Sequence, residues 1–117
     1  MSLEITIRET PAAVILDMKG QITLGQSLMD LRDTIRESLA GEQKNILLNL
    51  TEVTYVDSSG LGQLVGSYTR VTNGGGRMKL LNPQARVRDL LRITKLLSVF
   101  EAHENEAAAL RSFKKSK

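Results

Sequence analysis

Leu3, Ile5 and Ile7 alternate with Glu4, Thr6 and Arg8, a period of two that predicts a strand over residues 3–8. Glu9-Thr10-Pro11 interrupts it, because proline fixes φ and its neighbours favour bends. Ala13–Met18 is more continuously apolar and reads as a second, more buried strand ending at Gly20. The short turn between the two makes them an antiparallel hairpin. The period then lengthens. Leu28, Leu31, Ile35 and Leu39 fall on one helical face, with Thr23 and Gln26 spaced as a capping box and Gly41 as a stop. Ile46-Leu-Leu-Asn-Leu50 reads as a buried central strand, and Thr51–Val56 fits either its extension or a connection. A second helix opens at Ser58 or Ser59, carries Leu61, Leu64, Val65 and Tyr68 at helical spacing, and ends before Asn73-Gly-Gly-Gly76. Met78–Leu81 is a strand. Asn82 as cap and Pro83 as first helical residue start a third helix, with Val87, Leu90 and Leu91 facing inward. A short strand near Ser98–Glu101 and a last helix over about Glu104–Phe113 complete the order ββαβαβαβα.

After the hairpin, strands and helices alternate, which predicts an α/β fold with a largely parallel sheet and packed helices. The 117 residues form one domain, 1–117, with a basic tail at about 114–117. Ligand and partner sites in such sheets lie beyond the carboxyl ends of the strands. Asp57-Ser58-Ser59 falls at such a place, where an apolar β-branched run gives way to a helix whose free N–H groups and dipole favour negative charge.

Composition narrows the function. There are no cysteines, so disulfides and thiolate metal sites are excluded, and a reducing, cytoplasmic setting is the expectation. The 16 basic and 13 acidic side chains leave a net charge of +3, part of it in the tail. No basic stripe accompanies that excess, and two Phe, two Tyr and no Trp give no base-stacking platform, so no nucleic-acid partner is expected. No apolar run approaches the roughly 20 residues of a membrane span, so no membrane insertion is expected.

Catalytic, cofactor and metal sites are expected to be none. Gly60, Gly62 and Gly66 echo a dinucleotide loop, but the next strand ends at Leu81-Asn82 with no acidic residue to hold a ribose. A serine nucleophile needs a base, and the one histidine, His103, lies far along the chain; Val56 and Asp57 occupy the first-glycine positions of a nucleophile elbow. As an ordinary cap, Asp57 or Ser58 would take one N–H of the first turn. One capping side chain suffices, yet three polar residues stand together, with Gly60 and Gly62 leaving the helix end open to a partner's backbone approach. Capping alone does not choose between the two serines.

Tyr55-Val-Asp-Ser-Ser-Gly-Leu-Gly62 resembles the signature of the STAS domain, named for sulphate transporters and anti-sigma factor antagonists. The hairpin, Ile46–Leu50 and the Gly-rich turn before Leu81 sit where that family places them, so the resemblance covers nearly the whole chain. It implies a mixed, largely parallel sheet with packed helices, and the role of a free-standing bacterial anti-sigma factor antagonist. It further implies Ser58 as a phosphoacceptor, modified by an anti-sigma factor with serine kinase activity and reset by a PP2C-type phosphatase. The unphosphorylated form would bind the anti-sigma factor and free a sigma factor. Asp57, Ser59, Gly60, Leu61, Gly62 and Thr23 would form the partner-binding surface. Many antagonists carry a Gly-Glu-hydrophobic-Asp segment after the second strand, where this chain has the neutral Gly20-Gln21-Ile22-Thr23. That difference leaves a second expectation, a constitutive scaffold or adaptor in a signalling or transporter complex, without serine switching.

Overall fold

A computed structural model describes residues 2–114; the last three residues of the expected basic tail lie outside them. Strands β1 (Leu3–Glu9) and β2 (Val14–Ile22) form the antiparallel hairpin, in register from Leu3 opposite Gly20 to Glu9 opposite Val14. Helix α1 (Gln26–Leu39) leads to β3 (Ile46–Val56), and α2 (Ser58–Asn73) to β4 (Met78–Leu81). Helices α3 (Ala85–Ile93) and α4 (Leu97–Phe100), strand β5 (Ala102–His103) and helix α5 (Glu106–Ser112) follow. The sheet order is β1-β2-β3-β4-β5, with every pair after the hairpin parallel and β3 central.

The two faces of the sheet bury different amounts of apolar surface. Val14, Leu16, Met18, Ile46, Leu48, Leu50, Met78 and Leu80 point into the major core, against Leu31 and Ile35 of α1, Leu64 and Val71 of α2, Val87 and Leu91 of α3, and Phe100. The alternate positions Ile15, Leu47 and Leu81 meet Ala109 and Phe113 on the other face. Burial on both faces explains the near-continuous apolar runs of β2, β3 and β4. Toward β1 the second face turns polar. Arg8 binds Asp17 at 2.6 Å and Glu106 at 2.9 Å, and Asn49 donates to Asp17 at 2.7 Å.

One open reading is settled and three local expectations change. Residues 51–56 extend β3. Its register against β2 slips between Asp17 and Lys19 and again between Gly20 and Gln21, so β3 runs two residues longer than its partner over that stretch. Leu50, Val53 and Val56 are consequently the buried positions, a spacing of three in place of the usual two. The capping box at Thr23 and Gln26 does not form. Gly25, at φ 119°, is the N-cap of α1 without a side-chain bond, Ser27 Oγ bonds both the N–H and the carbonyl of Thr23, and Gln26 reaches forward to Asp30 at 2.9 Å. Asn82 and Pro83 do not start α3. Asn82 sits at φ 55°, its side chain donates to Thr51 Oγ1, and the helix begins at Ala85 after Gln84. The strand expected near Ser98–Glu101 is the short helix α4, and the β5 pairing falls at Ala102–His103. Phe100 is drawn inward instead, edge-on to Tyr68 with ring centroids 5.6 Å apart.

Candidate functional site

The site lies where β2 and β3 end together, with Ile22 opposite Val56. The next residue, Asp57, turns the chain into α2 and settles the question of the cap. Its backbone is extended, its Oδ1 accepts the Gly60 N–H at 2.7 Å, and its Oδ2 accepts the Leu24 N–H at 3.1 Å. The carboxylate thus caps α2 and also ties down the Thr23–Gly25 loop, 33 residues earlier in the chain. The Gly60 N–H and then the Leu24 N–H hold the Asp57 carboxyl below its ordinary value, against a smaller opposing effect of desolvation. Asp57 is therefore ionised through the physiological range, and both of its oxygens are already engaged within the chain.

This arrangement separates the two serines. Ser58 is the first residue of α2 and is exposed, whereas Ser59 is half-buried. The cap is Asp57, so neither hydroxyl is needed for that purpose. Beneath the first turn, the Ile22 carbonyl accepts the Asp57 N–H at 3.3 Å. A Cβ on Gly60 would stand 1.9 Å from the same carbonyl oxygen, so glycine here lets α2 seat on the end of β2. Gly60 is buried, and its amide belongs to Asp57, so it packs the helix inward and does not leave the helix end open as the sequence suggested. Gly62 is exposed, with open space around it.

The other expected contact residues divide. Leu61 is partly buried against the core, Leu64 is fully buried, and Val65 points outward. Thr23 lies beside the site because Asp57 holds the neighbouring Leu24. Leu24 itself is 75% exposed, and Tyr55 and Ile93 are also large exposed apolar side chains. The sequence placed Tyr55 only at the start of the motif, and did not single out Leu24, Ile93 or Arg86. Ser58, Tyr55, Arg86, Leu90 and Ile93 share a groove of about 360 Å³ between the end of β3 and α3. Helix α3 reaches the site because it crosses β3 after leaving the neighbouring strand β4. His103 is remote from the site; it pairs with Glu101 at 2.8 Å beside β5. Among the described residues no helix is long and apolar enough to cross a membrane.

An α/β domain that carries an Asp-Ser-Ser-Gly-Leu-Gly turn at the shared end of its central strands defines a class, and the STAS domain profile matches residues 4–109. The chain belongs to the STAS domain family. It is 29% identical over 111 residues to the anti-sigma F factor antagonist of Paenibacillus polymyxa, covering 94% of each chain. It is 29% identical over 101 residues to the anti-sigma-B factor antagonist of Bacillus subtilis, covering 86% of this chain and 91% of that one. The fold matches the anti-sigma factor antagonist SpoIIAA in its unphosphorylated form with a TM-score of 0.78, at 22% identity, over 97% of this chain and 100% of that one. SpoIIAA has also been solved in a phosphorylated form, matched with a TM-score of 0.71. The relatives that match along the length of the chain are thus free-standing regulators of anti-sigma factors.

Proposed function

We propose that this protein is a cytoplasmic anti-sigma factor antagonist, a binding module switched by phosphorylation of Ser58. The observation that carries the reading is the division of labour at the start of α2. Asp57 does the capping, and Ser58 stands exposed beside it with no structural duty to lose. The names of the full-length relatives support the partner class, and SpoIIAA's two forms support a switch of this kind. The unmodified protein binds an anti-sigma factor through the turn at Asp57–Gly62 and the exposed Leu24 and Tyr55 around it. That anti-sigma factor carries serine kinase activity, and a PP2C-type phosphatase restores the free serine.

Phosphorylation adds about −1.5 to −2 charge at neutral pH. Asp57 is already ionised next to it. A partner that closes over one negative charge in the free form would have to desolvate about three in the modified form. A loss of ~4 kcal/mol in binding weakens the complex about a thousandfold. The core is not involved, because Ser58 faces solvent. Ser58→Asp is therefore expected to melt like the parent and to lose anti-sigma factor binding in calorimetry, while Ser58→Ala binds constitutively. Equal affinity of Ser58→Asp and parent would favour the scaffold reading that the neutral Gln21–Thr23 loop raises.

A further inference from the structure

We propose that Arg86 is the intramolecular receptor for a phosphate on Ser58, and that the ion pair they form closes the groove between the start of α2 and α3. This rests on the reading of Ser58 as the phosphoacceptor. Ser58 and Arg86 line the same groove, together with the apolar Val87, Leu90 and Ile93. The Gly60 N–H of this first turn and the Leu24 N–H beside it already donate to Asp57. The remaining amides carry only partial charge, so the full counter-charge for a phosphate dianion on Ser58 comes from across the groove.

The charged groups around that groove are Asp57, Asp89 and Arg86. Asp57 repels a phosphate. Asp89 is paired with Arg92, one turn further along α3. Arg88 points to the opposite side of the helix, 3.6 Å from Glu104. Arg86 is exposed, and among the described residues it makes no ion pair, so its guanidinium is free to take two phosphate oxygens in the bidentate manner that suits it. Swinging toward Ser58, it would lie over Tyr55 and Leu90 and cover apolar surface that the unmodified protein leaves open. Phosphorylation would then act twice, adding charge and removing a docking groove.

The test installs phosphoserine at position 58 during translation, so its outcome does not depend on whether any kinase uses Ser58. The second ionisation of the phosphate is followed by ³¹P NMR against pH, in the parent and in Arg86→Gln, Arg86→Lys and Arg88→Gln backgrounds. Arg86 should draw the midpoint down from the ordinary value of about 6, against the upward push of the neighbouring Asp57 carboxylate. Arg86→Gln should raise it by about half a unit, the scale of an exposed ion pair. Arg86→Lys should retain part of the shift, and Arg88→Gln should leave it unchanged. An unchanged midpoint in Arg86→Gln, or an equal rise in Arg88→Gln, overturns the proposal. Failure of a kinase to modify the natural chain would instead count against Ser58 as a switch and leave this ion pair standing.

Discussion

Replacing Gly60 by Ala would set a methyl group 1.9 Å from the Ile22 carbonyl oxygen and 2.8 Å from its carbon. Both sides of that contact are backbone, so no side chain can rotate away. The Ile22 carbonyl is also fixed by the Asp57 N–H, and Asp57 in turn holds Leu24. Relief requires α2 to lift from the end of β2 and stretch these bonds. Overpacking of this kind costs about 1–3 kcal/mol or somewhat more, and so close a contact belongs at the severe end. Alanine's better helix propensity returns at most about 1 kcal/mol. The net expectation is a loss of about 2 kcal/mol, or roughly 8 °C in Tm for a domain of this size. Gly62→Ala is the matched control, two residues along the same helix with open space around it. It should gain about 0.5–1 kcal/mol and raise Tm by a few degrees. Thermal melts followed by circular dichroism, with urea titrations for the free energies, measure both. If Gly60→Ala melts at or above the parent, as Gly62→Ala should, α2 does not seat on β2 in the way described and the placement of Ser58 loses its basis.

Two further outcomes follow from the electrostatics. The Asp57 carboxyl titrates lower in the folded chain than its ordinary 3.8, mainly through the Gly60 and Leu24 N–H groups, so its contribution is complete above the unfolded carboxyl's titration and is lost as pH falls through the lower folded value. Asp57→Asn should therefore lower the urea midpoint at pH 7 and converge on the parent in strong acid; a constant gap across that range would contradict the charge-based cap. Lys79 is 4% exposed, bonded to Ser112 Oγ and Glu101 at 2.9 Å and lying over the Phe113 ring. Lys79→Met keeps the stem and removes the desolvated charge, so it should stay within about 1 kcal/mol of the parent, whereas Lys79→Ala opens a void and should cost about 2 kcal/mol or more. Equal losses in the two variants would count against this division.

The order of the main elements was legible because each carries its period over enough residues. Leu31 and Ile35 of α1, Leu64 of α2, and Val87 and Leu91 of α3 are buried as their spacing implied. Where the expectations failed, a distant residue had intervened. Thr23 and Gln26 have the spacing of a capping box, but Asp57 holds Leu24 and Ser27 occupies Thr23, so the helix starts later from a glycine at positive φ. Asn82-Pro83 has the composition of a helix start, but Asn82 and Gln84 turn their side chains to Thr51 on β3. Val53 and Val56 defied alternation because the register slips occur only when β3 meets β2. At the site, the local sequence offered Asp57 and Ser58 as equal candidates for the cap. The Gly60 N–H bond to Asp57 distinguishes them, and Asp57's second bond, to Leu24, depends on strands brought together from distant parts of the chain. Arg86 was invisible for the same reason: it enters the site only because α3 crosses β3.

We propose above all that Ser58 is a substrate for another protein's catalysis. It is tested most directly by incubating the protein with ATP and the cognate anti-sigma kinase and locating the phosphate by fragmentation mass spectrometry. A single phosphate on Ser58 is the predicted result, with none on Ser58→Ala. Phosphate on the half-buried Ser59, or on neither serine while the kinase is demonstrably active, would contradict it.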